Sequence, residues 1–200
     1  WRMAVSYLYH FFGNEFHNFK LPFLRHIAPV TLEMLCQAID KKINTPLTSS
    51  SGRLFDAVAA LINLCPVSQF HAEAPMRLES VIDKSVDDSY PFDIDGSIHF
   101  ETTFRAILQD MEKQTGIPVI AAKFHNMIVA ATIEMASAMK KECDSNKVVL
   151  SGGTFQNKYL LGKLEHKLAK QGFEVFTHQR IPTNDGGIAL GQLVIAAARR

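Results

Sequence analysis

Apolar residues recur at helical spacing through most of this chain, and only three short stretches change to a strand pattern. Trp1, Met3, Ala4, Tyr7, Leu8 and Phe11 share one face of a helix that closes at Gly13-Asn14, a pair suited to a left-handed cap. An aromatic connector with Phe16, Phe19, Phe23 and Leu24 around Pro22 leads to a second helix over Val30–Ile43, with Leu32, Leu35, Ile39 and Ile43 on its core face. Ser50 or Ser51 then caps a strongly apolar helix in which Leu54, Val58, Leu61 and Ile62 form the buried stripe and Cys65-Pro66 is the stop. A helix over Glu73–Ile82 with Met76, Leu78 and Ile82 apolar follows, then a polar turn from Lys84 to Ser89. Alternation on both sides of Gly96 predicts a β-hairpin over Tyr90–Phe100, placed at an edge by Pro91.

The second half begins with a helix over Phe104–Met111. A long one follows over Val119–Cys143, lined by Ile120, Phe124, Met127, Ile128, Ala131 and Met135. Val148-Val-Leu150 is too short for a buried helix and reads as a strand, as does Gly172–Phe176. Between them Tyr159, Leu160, Leu164 and Leu168 repeat at helical spacing. The chain closes on an almost wholly apolar helix over Ile188–Ala198, rich in Ala and Gly, which is expected to be packed tightly.

Composition narrows the class without naming a partner. Two hundred residues with 47% hydrophobic content can bury a real core. A net charge of +1 with no Lys/Arg block argues against a nucleic-acid or membrane surface. Cys36, Cys65 and Cys143 are far apart and odd in number, so neither a disulfide framework nor a cysteine zinc site is expected, and a reducing cytoplasm is the default. No unbroken apolar run is long enough to span a bilayer. A helix that opens on the large apolar Trp1 points to a piece of a longer protein.

Two stretches carry candidate chemistry. In Lys147-Val-Val-Leu-Ser-Gly-Gly-Thr-Phe-Gln-Asn-Lys158 a strand meets paired glycines and then a helix, so amides near Gly153 to Phe155 would open that helix with its positive end at the turn. A tight turn and an anion site are both open at this point. In Pro182-Thr-Asn-Asp-Gly-Gly-Ile188, Asp185 sits at or just before a helix start, either as a cap or as a hard ligand for a divalent cation. Near the N-terminus of the apolar helix within Thr48–Leu64, Arg53 and Asp56 stand one turn apart; Asp56 is either a surface residue favoured by the helix dipole or a ligand contact. The eight histidines include no His-x-x-x-His pair, and no nucleophile elbow, metalloprotease motif or Walker loop occurs.

Four stretches taken together resemble a known family. Trp1-Arg-Met-Ala4, Ser50-Ser-Gly-Arg-Leu-Phe-Asp-Ala-Val-Ala59, Leu150-Ser-Gly-Gly-Thr-Phe-Gln-Asn157 and Pro182-Thr-Asn-Asp-Gly-Gly-Ile-Ala-Leu-Gly191 are similar to the C-terminal part of the hydrogenase maturation carbamoyltransferases of the HypF family, and Phe124-His-Asn126 matches a shorter element. The resemblance covers the whole chain, 1–200, as a single C-terminal portion of the final domain. It implies an α/β fold: the C-terminal lobe of an actin/sugar-kinase-like (ribonuclease H-like) ATPase domain, helix-rich with a small mixed sheet. It implies an enzyme that converts carbamoyl phosphate and ATP to carbamoyl-adenylate and passes the carbamoyl group to the C-terminal cysteine of a HypE-like acceptor, toward the cyanide ligand of a nickel-iron centre. Carried over by motif, Asp56 would hold the ribose hydroxyls, with Ser51, Gly52 and Arg53 of the same motif also at the nucleotide. Gly152, Gly153 and Asn157 would line the nucleotide, and Asp185 would complete a divalent metal site.

The sequence departs from the family pattern twice. The histidine metal motif would lie upstream of Trp1, which leaves Asp185 without its co-ligands and implies that this chain alone is inactive. Phe70-His-Ala-Glu-Ala-Pro75 stands where the family has Tyr-Glu-Gly-Gln-Ala-Ala, with Ala72 in place of a glycine expected near the nucleotide. A threonylcarbamoyl transferase of tRNA modification shares the Gly-Gly…Asn and Asn-Asp loops, but Asp56 is followed by Ala57, not Lys. A non-catalytic nucleotide- or partner-binding remnant is the third reading. A lobe cut from a two-lobed domain would also expose apolar surface, so self-association is expected.

Overall fold

The computed structural model describes Trp1–Arg199 and divides the chain into two compact units, Trp1–Lys123 and Phe124–Arg200. The first unit is built around α3 (Ser51–Leu61), whose Leu54, Phe55, Ala57, Val58, Ala59, Ala60 and Leu61 are all buried. Small residues on both sides of the leucine stripe let two neighbours approach it: α1 (Arg2–Phe12) and α4 (Glu73–Ser80). Ala4, Val5 and Leu8 fill the α1 side and Leu78 the α4 side. α1 ends at Gly13, where the Gly-Asn pair predicts a stop, but with φ 53° and ψ −139° the glycine lies outside the left-handed helical region; Trp1 is the N-cap. The aromatic connector winds into two 3₁₀ turns, Gly13–Asn18 and Pro22–His26, that bury Phe16 and Phe23.

Helix α2 (Pro29–Asp40) stops three residues before the predicted end, and Ile43 is exposed in the following turn. With Asn44 at φ 52° and Pro46 beyond, the chain leaves the helical path too early for Ile43 to reach the core face. Met76 is likewise exposed, because α4 packs on Ala74 and Leu78. The predicted hairpin forms as two short antiparallel strands, β1 (Asp93–Ile94) and β2 (Ile98–His99). After it, α5 (Glu101–Glu112) buries Phe104 and Ile107, and Tyr7 stacks on Phe104 with ring centroids 5.2 Å apart.

The departure at Ala72 has a local reason. Ala72 is the N-cap of α4 and sits in the left-handed region at φ 59°, ψ 20°. The turn is pinned there by the buried Glu73, which accepts from the backbone N–H of Gln69 at 2.5 Å and pairs with Arg77 at 2.7 Å. A β-carbon is strained in that conformation and glycine is not. Ala72→Gly is therefore expected to stabilise the fold by about 1 kcal/mol, a rise of roughly 2–4 °C in melting temperature for a chain of this size, readable by calorimetry.

The long helix α6 (Ile117–Cys143) supplies residues to both units, the boundary falling at Lys123 and Phe124. Its length and composition would let it cross a membrane, contrary to the expectation drawn from unbroken apolar runs; half of its most apolar window is buried inside the fold. The run is interrupted by Lys123, His125 and Asn126, the latter two buried and hydrogen-bonded, as in the core helix of a folded domain.

In the second unit β3 (Lys147–Leu150) pairs in parallel with β4 (Glu174–Thr177), in the register Val148 with Val175 and Leu150 with Thr177. The connection is α7 (Lys158–Lys170), which buries Leu160, Leu164 and Leu168 at the predicted spacing. Among the described residues the strands thus form two separate ladders, one antiparallel and one parallel, in place of the single small mixed sheet expected. The last helix, α8 (Ile188–Ala198), forms where expected, but no residue of it is buried. Ile188, Leu190, Leu193, Val194 and Ile195 are 46–68% exposed. Apolarity all round a helix marks a surface that can be covered, but it does not supply the cover.

Candidate functional site

The residues assigned to chemistry fall in both units. In the first, Ser50 takes the cap position of α3, but its hydroxyl makes no capping bond; the helix start is held by the Ser50 carbonyl, which accepts from Arg53 N–H at 3.1 Å. Ser51 and Gly52 form the first turn. A β-carbon on Gly52 would meet only the Ser50 hydroxyl at 3.6 Å, so local packing does not demand a glycine there. Arg53 Nη2 pairs with Asp56 Oδ2 at 2.7 Å, as the one-turn spacing requires, yet the two differ sharply in exposure: 47% for Arg53 and 16% for Asp56. Asp56 lies beyond the first turn of α3, and it is not the solvated surface carboxylate that its place near the helix start suggests. Burial pushes its carboxyl above the usual range against the opposing pull of Arg53 and His71. Asp56 is a partly covered carboxylate paired with one cation, and ligand hydroxyls could add donors to it.

In the second unit the strand-turn-helix is present, but its helix begins later than the spacing suggests. Gly153–Gln156 is a 3₁₀ turn, and the first amides of α7 follow Asn157. The expected helix opening at Gly153 to Phe155 is therefore corrected: Phe155 N–H already donates to the Gly152 carbonyl at 3.1 Å. Asn157 is the cap, its Oδ1 accepting from Leu160 N–H at 2.9 Å, and its Nδ2 lies 3.0 Å from His125 Nε2. Its side chain is thus engaged within the fold on both of its polar atoms.

The two glycine pairs look alike in sequence and differ in space. Gly152 stands at φ 103°, ψ 163°, a conformation essentially reserved for glycine, and neither Gly152 nor Gly153 would bring a β-carbon within 4 Å of another atom. The space beside these two α-carbons is open, and a ligand could come close there. At Gly187 a β-carbon would lie 2.9 Å from the Pro182 carbonyl oxygen, and at Gly186 3.1 Å from Asn184 Oδ1. Gly187 is thus required by the turn itself, while Gly186 is tightly placed against the capping side chain. Asn184, not Asp185, caps the 3₁₀ turn Asp185–Gly187 that leads into α8, accepting from Gly186 N–H at 3.1 Å.

The two loops are tied to each other. Gly152 N–H donates to the Thr183 carbonyl at 2.9 Å and Thr183 Oγ1 donates back to the Gly152 carbonyl at 3.0 Å, while Ser151 Oγ and His178 Nε2 are 2.8 Å apart. Beside them, past the carboxyl ends of β3 and β4, lies a cleft of about 320 Å³ lined by Leu150, Phe155, Leu161, His178, Ile181 and Thr183. The carboxyl ends of parallel strands are where open α/β sheets receive ligands.

Metal chemistry is not self-contained here. Asp185 is exposed, and among the described residues no group of three or more His, Cys, Asp or Glu could hold an ion. A single carboxylate supplies one or two of the roughly six oxygen ligands a hard cation takes. His178 lies outside the motifs read from the sequence, Ser151 and Thr183 enter there only as members of the two loop motifs, and so do His125 and Asn126 in theirs. For the last two a signal existed: adjacent polar residues in the apolar run of a long helix must find partners when buried.

Comparison with known proteins places these features in a family. The sequence model described as "Carbamoyltransferase, Kae1-like Domain, second subdomain" matches residues 1–192. The carbamoyltransferase HypF of Rhodobacter capsulatus is 38% identical over 165 residues, covering 82% of this chain and 21% of the relative. That of Synechocystis is 32% identical over 211 residues, covering 96% and 27%. A crystal structure of full-length HypF in the phosphate- and nucleotide-bound form is similar with a TM-score of 0.89 at 40% identity, over 97% of this chain and 30% of that one. The HypF structure from T. kodakarensis has a TM-score of 0.79 at 24% identity, over 99% and 27%, a likeness of fold. The chain spans only 21% and 27% of the length of these two curated relatives.

Proposed function

The chain belongs to the HypF carbamoyltransferase family, and on that premise we propose that it is the nucleotide-binding part of an enzyme that uses carbamoyl phosphate and ATP to carbamoylate a protein cysteine. The acceptor in this reading is the C-terminal cysteine of a HypE-like protein, the intermediate is carbamoyl-adenylate, and the setting is cytoplasmic maturation of a nickel-iron hydrogenase. ATP supplies the activated phosphoanhydride; what this chain supplies is binding and orientation.

The observation that carries the reading is Gly152, held in a glycine-only conformation just after β3, with the β-carbon side of its α-carbon facing open space. The positive φ alone calls for glycine there, and the open space over its α-carbon adds room for a ligand to approach. Gly152 and Gly153 are assigned to backbone contact with the nucleotide, and Asn157 to the end of the same turn. Ser51, Gly52 and Arg53 are assigned to the nucleotide through the motif they share with Asp56. The Asp56 carboxylate is assigned to the ribose hydroxyls, two donors that suit one carboxylate. Asp185 is at most one ligand of a metal whose other ligands lie outside this chain, so no step is drawn through it. A carbamoyl donor would be held mainly by positioning and electrostatics. The apolar face of α8 is the surface through which this chain would self-associate or meet a covering partner.

Calorimetric titration of ATP with Mg²⁺ tests the reading. Binding is expected in the unmodified protein, and Asp56→Asn is expected to weaken it about tenfold, since a carboxylate accepting from hydroxyls is lost. The same substitution should leave thermal stability unchanged or slightly raised. The sign follows from linkage: a carboxyl whose folded pKa is raised favours the fold only below its unfolded pKa, and that contribution is lost as pH rises through the folded value, so at neutral pH a neutral amide is the better tenant. A loss of stability with unchanged nucleotide affinity would make Asp56 a structural residue and remove it from the site.

A further inference from the structure

His125 and Asn126 lie in the most apolar stretch of α6, 0% and 4% exposed. Burying an imidazole and an amide there is unfavourable unless both are bonded. Asn126 Oδ1 accepts from Tyr159 Oη and from Lys163 Nζ, each at 2.8 Å, and the His125 ring stands edge-on to Tyr159 with centroids 5.7 Å apart. The first turns of α7 are thereby fastened to α6.

The bond between His125 and Asn157 has a defined direction. Asn157 Oδ1 accepts from Leu160 N–H, so the group 3.0 Å from His125 Nε2 is the amide NH₂. An amide NH₂ only donates, and Nε2 must therefore accept, with the ring proton on Nδ1. Rotating the Asn157 amide would set an NH₂ against the Leu160 N–H and lose the cap. The imidazole acceptor holds it the right way round.

We propose that His125 is a positioning residue for the Gly152–Asn157 turn: by accepting from Asn157 Nδ2 it fixes the amide that caps α7, and with it the end of the turn whose glycines meet the nucleotide. The assignment deepens the nucleotide-binding reading and rests on it for its ligand, though not for its geometry. His125 touches no reacting atom in this scheme; it acts through Asn157.

The test compares the unmodified protein with His125→Gln, whose carbonyl can still accept, and His125→Leu, which fills space but cannot. Amide hydrogen exchange at Leu160 is expected to speed up at least about tenfold in the Leu variant and to stay within about threefold in the Gln variant, because the cap survives only where an acceptor remains. Affinity for ATP with Mg²⁺ should follow the same order. The proposal is overturned if Leu160 protection is unchanged in the Leu variant, or if both variants lose it alike, since ring volume and not the acceptor would then be what matters. Should the Leu variant fail to fold, nitrogen-15 spectra of the unmodified protein decide the point: a proton on Nε2 of His125 overturns the proposal, and one on Nδ1 supports it. If the unmodified protein binds no ATP, the nucleotide reading falls, while exchange and nitrogen spectra still judge the positioning.

Discussion

Gly152→Val is expected to weaken ATP binding at least about a hundredfold, the largest effect on function predicted for any single position. At φ 103° and ψ 163° a side chain is strained by about 1–3 kcal/mol, most of all a β-branched one. The turn escapes that strain by relaxing toward an ordinary backbone, which moves the loop amides away from a ligand. If it does not relax, the valine occupies the open space itself. Gly153→Ala, with no left-handed constraint and open space around it, should fold normally and lose affinity only through contact with the ligand. Gly187→Ala is the opposite control, because its new methyl group would press on the Pro182 carbonyl and harm folding first. Titration calorimetry beside thermal melts separates the three. Gly152→Val that binds ATP as well as the unmodified protein would leave the nucleotide assignment without its main support.

Asp110→Ala should have the largest effect on stability, a loss of about 3 kcal/mol, or roughly 6–12 °C in melting temperature. Asp110 Oδ2 accepts from Lys123 Nζ at 2.6 Å and from Tyr90 Oη at 2.8 Å, and Lys123 lies over the Tyr90 ring at 4.6 Å. Removing the carboxylate strands a phenol on the buried Tyr90 and a largely covered ammonium together. Burial acts to raise the Asp110 carboxyl, but the bonds from Lys123 and Tyr90 outweigh it and hold the group below its ordinary value. The stability it provides is present above its unfolded pKa and is lost as pH falls through the depressed folded one. The Ala variant should therefore lack part of the acid unfolding limb. On the alkaline side burial, then the bond to Asp110, pushes Tyr90 up; that contribution is present below its unfolded pKa and lost as pH rises through the raised one. Denaturant melts at several pH values check both limbs, and equal pH profiles for the two proteins would contradict this account.

Much of the fold could be read from apolar spacing. The leucine stripe of α3, the β3 strand, the repeat along α7 and the cap at Gly13 all formed where their residues predict. Periodicity was less informative where a helix end or a partner decides the outcome. Ile43 and Met76 continue an apolar repeat but lie off the packed face, and α8 is apolar throughout with nothing among the described residues burying it. The candidate site was legible as motifs and not as roles. Sequence could not distinguish a glycine pair facing open space from one pressed against a proline carbonyl, because the difference lies in neighbours that are distant along the chain. Nor could it show that Asn157 is engaged by His125, thirty-two positions away. The partial cover of Asp56 was equally hidden, since a carboxylate near a helix start is usually solvated.

The reciprocal bonds between Gly152 and Thr183 have a consequence for motion. With each residue both donating to and accepting from the other, the loops after β3 and β4 form a single mechanical body, and neither can swing without breaking two bonds at once. Any breathing of the cleft must then carry both rims together, so relaxation dispersion across the two loops would report one shared exchange rate in place of two independent ones.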